Sequence, residues 1–94
     1  RQKSLLLRAK LQKRQGNLEK ASALWQEAAL AGSLEAMIEL TKYFEHQRRD
    51  YEAALRFTEQ ALGVSSDNSL TTSLLHRKSR LEAKAQKSIK NSQS

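Results

Sequence analysis

Apolar residues recur along the chain at three- and four-residue steps, the spacing that lines one face of an α-helix. Met37, Leu40, Thr41 and Phe44 form one such stripe. After the charged stretch 46–50 a second follows in Tyr51, Ala54, Leu55, Thr58, Ala61 and Leu62. Two amphipathic helices joined this tightly are expected to pack antiparallel. Upstream, a first helix is predicted over about residues 4–15, with Leu7 and Leu11 facing inward. Gly16 and Asn17 break it, Gly by tolerating a left-handed turn and Asn17 by capping the next helix with its side-chain oxygen. The second helix, about 18–31, should bury Leu18, Ala21, Leu24, Trp25 and Ala28. Gly32 and Ser33 repeat the stop-and-cap arrangement before a third helix at about 34–46, and Asp50 caps a fourth that ends near Gly63. Asp67 or Ser69 is expected to cap a fifth helix carrying Leu70, Leu74, Leu81, Ala85 and Ile89, with a tail fraying from Lys90.

Sliding the chain on itself by 33 residues superposes Leu7 on Leu40, Leu11 on Phe44, Asn17 on Asp50, Leu18 on Tyr51, Ala21 on Ala54, Leu24 on Phe57 and Ala28 on Ala61. Small residues fall on small and large on large. The four alanines are expected where helix backbones approach closely. A period in the low thirties with two helices per period indicates a helical-hairpin solenoid.

The frame Leu18-x-x-Ala21-x-x-x-Trp25-x-x-Ala28, repeated as Tyr51-x-x-Ala54-x-x-x-Thr58-x-x-Ala61, resembles the second helix of a tetratricopeptide repeat (TPR). The resemblance covers about residues 4–63. It implies one all-α domain over 1–94, a TPR-like α-hairpin solenoid of two helix-turn-helix repeats (about 4–31 and 34–63). A C-terminal capping helix (about 69–89) and a tail (90–94) would complete it. Arg8 or Thr41 stands where the first helix of a TPR usually has glycine, and the closing proline is absent. The strings KRQGNLEKASALWQEA, IELTKYFEHQRRDYEAALRFTEQAL and LLHRKSRLEAK resemble the C-terminal TPR region of bacterial ribonuclease-H-like exonucleases. That resemblance implies that catalysis lies in a domain upstream of this chain.

Composition agrees with helices: no proline, three glycines and only five aromatic residues in 94 leave Leu and Ala to build the core. The chain has no cysteine, which excludes disulfides, zinc fingers and thiol catalysis. No apolar run approaches the roughly 20 residues of a membrane span, so a cytoplasmic setting is expected. The chain starts at Arg1 rather than Met, close to the first predicted helix, and is expected to be an excised piece of a longer protein. The net charge of +7 is unevenly spread. Residues 1–20 carry seven bases and one acid, residues 21–75 four and eight, and residues 76–94 six and one.

No glycine-rich phosphate loop, metalloprotease motif or nucleophile elbow occurs, and no enzyme, cofactor or metal site is expected within these residues. Glu45, Asp50 and Glu52, interleaved with Arg48 and Arg49, read as a solvated salt-bridged turn. Trp25 is expected in the core and Tyr43 at the edge of its stripe. The TPR resemblance implies a peptide groove lined by the first helix of each repeat, here Gln12, Lys13, Lys42, Tyr43, Glu45, His46 and Lys78. Leu5 with Ala9 and Ile38 with Lys42 occupy the positions where the TPR carboxylate clamp has Lys and Asn, so chaperone-tail binding is not expected. Leu5 and Leu6, off the Leu7/Leu11 stripe, are expected to meet an upstream domain or a dimer mate. The basic residues Lys10, Arg14, Arg77, Arg80 and Lys84 are candidate phosphate contacts. The expected function is a non-catalytic scaffold or protein- or peptide-binding module, with no small-molecule substrate. Nucleic-acid contact and dimerisation are the alternatives.

Overall fold

Five α-helices follow one another: α1 (Gln2–Arg14), α2 (Leu18–Leu30), α3 (Leu34–His46), α4 (Tyr51–Val64) and α5 (Asn68–Gln93). The computed structural model describes the backbone of residues 2–93 and the side chains of residues 3–87. Ser94 and the Ile89 side chain lie outside these. Among the described residues there is no strand. The helix runs on to Gln93, past the Lys90 at which the sequence pattern thins.

Each helix packs on the next in the chain, α1 on α2, α2 on α3, α3 on α4 and α4 on α5. The extents are 44 × 31 × 19 Å. The thinnest dimension is about two helix diameters, so the molecule is two helices deep.

Two turns close by the same geometry. Gly16 (φ 83°) and Gly32 (φ 94°) adopt the left-handed conformation that glycine reaches without a Cβ penalty. The Gly16 N–H donates to the Lys13 carbonyl (3.0 Å) and the Asn17 N–H to the Gln12 carbonyl (2.8 Å). Gly32 and Ser33 repeat this on Ala29 (2.9 Å) and Ala28 (3.0 Å). These paired bonds satisfy the orphan carbonyls at a helix end.

The expected cap at Asn17 does not form. Asn17 is held by the turn that closes α1, and its side-chain amide donates to Gln12 Oε1 (3.0 Å) rather than accepting from α2. Ser33, Asp50 and Asp67 do cap, accepting from the Ala36 N–H (3.2 Å), the Ala53 N–H (3.1 Å) and the Ser69 N–H (2.9 Å).

The α3–α4 turn holds one more residue. There Arg49 takes the left-handed conformation (φ 53°), and the Asp50 N–H reaches back six residues to the Phe44 carbonyl (2.8 Å). Asn17 reaches back only five. The 33-residue shift therefore holds for α2 on α4, whereas α1 on α3 is offset by 32. Leu5 then falls with Met37 and Ala9 with Thr41, and all four are buried.

This register corrects the inward face of α1. Leu5 is 7% exposed and Ala9 0%, whereas Leu7 and Leu11 are 69% and 51% exposed. Leu6 is half-buried against the core. Leu5 therefore binds α1 to its own domain and is not free for an outside partner, and Leu6 is partly taken up by the same core. The outward apolar pair is Leu7 and Leu11.

Of the residues expected to be buried on α2, Leu18 and Leu24 are only partly so. Ala21, Ala28, Ala54 and Ala61 are fully buried, which lets neighbouring backbones come close. Trp25 is buried beside them, and Leu40, Leu74 and Leu81 fill the layer toward α5. Phe44 stacks on Phe57 (5.6 Å between centroids) and meets Tyr43 edge-on (5.2 Å). Thr41 and Thr58 are buried without loss, because each hydroxyl donates to the carbonyl four residues back, Met37 (2.9 Å) and Ala54 (2.8 Å).

Candidate functional site

Residues of α1, α2 and α3 line a cleft near the end of α1, which Lys13 and Glu39 bridge. Its volume is about 130 Å³. Leu18 and Trp25 of α2 and Tyr43 of α3 supply apolar walls, and Lys13, Glu39, Lys42 and His46 surround them with charge and polarity. Glu39 organises that rim. It accepts from Lys13 Nζ (3.2 Å) and lies 3.7 Å from Lys42 Nζ. Lys13 Nζ also stands 5.9 Å from the centre of the Trp25 ring, within cation–π range.

Four of the groove residues expected from sequence thus come together: Lys13, Lys42, Tyr43 and His46. Tyr43 is more enclosed than its edge position implied, at 8% exposed, because Phe44 packs against its ring. The other three do not join them. Gln12 is bonded to Asn17, Lys78 lies 3.9 Å from Glu59 of α4, and Glu45 faces α5. Leu18, Trp25 and Glu39 were not legible as cleft residues, since a core stripe and a lining stripe share the same helical spacing.

The second constellation surrounds Glu45, which is 2% exposed. Its Oε1 accepts from Arg77 (2.8 Å) and Arg80 Nη2 (3.1 Å), and its Oε2 from Arg80 Nε (3.1 Å) and Lys84 (2.9 Å). Arg80 therefore grips the carboxylate with both prongs of its fork. His46 Nε2 lies 3.6 Å from Oε1, and Lys84 Nζ sits 5.7 Å from the centre of the Tyr51 ring. Burial by itself would raise the Glu45 pKa. The hydrogen bonds and charges of Arg80 and Lys84 reverse that and hold it at about 2.

This arrangement corrects the solvated salt-bridged turn expected around Glu45. The carboxylate turns away from Arg48 and Arg49 toward α5. Helical spacing accounts for it: Arg77, Arg80 and Lys84 recur at three and four residues, so one face of α5 presents all three cations. The basic–acidic–basic charge sequence was the available signal. Lys13 on Glu39, Lys78 on Glu59 and the α5 cations on Glu45 convert it into contacts inside the molecule. Of the candidate phosphate contacts, Lys10 and Arg14 stay exposed on α1.

Among the described residues no three His, Asp or Glu side chains are grouped to hold a metal ion. No helix there is long and apolar enough to cross a membrane. The chain is similar to part of the "Uncharacterized protein YprB" of Bacillus subtilis (strain 168), 39% identical over 56 residues. The match covers 55% of this chain and 14% of that protein. No protein-family model and no solved structure matches the chain.

Proposed function

We propose that the chain is a TPR-like α-hairpin module of a larger bacterial protein, and that it binds a peptide or protein segment without catalysing a reaction. The cleft between α1 and α3 carries the reading: three apolar walls and a rim of Lys13, Glu39, Lys42 and His46 suit one apolar side chain flanked by an acidic group. The sequential hairpin packing and the recurring buried alanines support the TPR-like arrangement. Similarity to a short part of a much longer protein supports a module within a larger chain. A ribonuclease-H-like exonuclease is the parent that the sequence resemblance favours.

Trp25 is the only tryptophan and stands in the cleft wall, so its fluorescence reports occupancy. Peptides selected from a random display library should change that signal on binding. Lys42→Ala should weaken them about fivefold, the equivalent of losing about 1 kcal/mol. Lys87→Ala should leave them unchanged. Selected peptides that bind both variants alike would remove the cleft from consideration.

The outer face of α1 favours a second contact. Leu7 and Leu11 form an exposed ridge one turn apart, with Lys3, Lys10 and Arg14 at the neighbouring three- and four-residue positions. Helix α1 holds no acid in its first turn or anywhere else. Like charges oppose pairing of this ridge with its own copy, so an acidic surface of the parent protein suits it better.

A further inference from the structure

The cluster around Glu45 holds more cation than its carboxylate needs. Two guanidinium groups and one ammonium carry thirteen N–H donors. Four are taken up by Glu45, two on each oxygen, which fills the acceptor capacity of the carboxylate. Nine remain, and among the described residues no other carboxylate pairs with these three side chains. Three positive charges on one negative leave the cluster with a surplus of two.

The surplus is accessible as well as fixed. The side chains of Arg77, Arg80 and Lys84 are 23%, 49% and 39% exposed, so each reaches solvent while bonded to Glu45. Glu45 meanwhile holds the inner ends, so an arriving anion meets cations that are already oriented and loses little side-chain freedom in binding them. His46, 59% exposed beside Glu45, extends the rim.

We propose that Arg77, Arg80 and Lys84, gathered by Glu45, form a binding site for a phosphate monoester. The ligand class follows from charge and shape. A monoester carries close to two negative charges at neutral pH and three acceptor oxygens. A diester carries one charge, and it leaves half of the surplus unmatched. None of the site's three cations lines the proposed peptide cleft, although His46 borders both sites.

Calorimetric titration of the whole chain with inorganic phosphate, adenosine 5′-monophosphate and dimethyl phosphate tests this at low salt. Phosphate and the nucleotide should bind saturably, and the diester about tenfold more weakly. A nucleotide affinity equal to or above that of phosphate supports an ester ligand, whereas phosphate binding without nucleotide binding overturns it. Lys84→Ala should weaken phosphate about fivefold, while Lys10→Ala with Arg14→Ala, which removes more charge elsewhere, should change it less than about twofold. Equal losses in the two variants would mean diffuse attraction and no site. If circular dichroism shows Lys84→Ala to be unfolded, Arg80→Lys serves in its place: it keeps the charge, loses the fork, and should show the same weakening.

Discussion

Glu45 shows how much one side chain can be asked to do. A buried carboxylate is costly unless it is paired and hydrogen-bonded, and here both oxygens are saturated. Its pKa falls from 4.5 to about 2 on folding, so the folded state binds its proton more weakly than the unfolded chain does. The stabilisation is complete above the unfolded value and is lost as pH drops through the window from about 4.5 to about 2. Glu45→Gln should therefore lower the urea midpoint strongly at pH 7 and much less at pH 2.5. An equal gap at the two pH values would point to packing instead of charge. The sequence shows Glu45 only as one acid near a turn. Its partners lie 32, 35 and 39 residues away, and nothing local reveals that three cations converge on it.

At the scale of the element, α1 shows where periodicity reads well and where it misleads. The helix, its glycine stop and its apolar residues are all visible in the sequence. Which stripe faces in is not, because Leu5/Ala9 and Leu7/Leu11 both satisfy the four-residue step. The 33-residue repeat points to the wrong stripe, because the α3–α4 turn holds one residue more than the α1–α2 turn and the α1-on-α3 register is 32. Among the described residues α1 packs mainly on α2, and it buries one stripe. The stripe with an alanine wins, since Ala9 lets α2 approach. Leu5→Ala should cost about 2–4 kcal/mol in denaturant unfolding, and Leu7→Ala with Leu11→Ala less than about 0.5 kcal/mol each. The reverse order would restore the register of 33. The cleft fared similarly. Its α1 and α3 residues were legible from the repeat, but Trp25 was assigned to the core alone, and it is both buried and cleft wall.

For the whole molecule, the decisive fact is that α3 touches every other helix. It packs on α2 and α4, holds α1 through Glu39 and Lys13, and holds α5 through Glu45. Helix α1 has α2 and one exposed ion pair, and exposed pairs contribute little. Native-state hydrogen exchange should therefore show the α3 amides as the slowest and α1 opening before the rest. An α1 that exchanged as slowly as α3 would contradict this hierarchy.

The corrected register also places Lys13 of α1 and Glu45 of α3 at equivalent positions, and they carry opposite signs. Each reaches forward to the next helix on its side: Lys13 to an acid on α3, Glu45 to bases on α5. The two joints are thus keyed. If α5 were to skip ahead and dock on α1, its arginines would face Lys13, and the fully buried Glu45 would be left without a counter-charge. Hairpins of similar pattern are prone to joining in the wrong order. Here a reversal of charge at one position makes the two joints unlike and disfavours exchanging them.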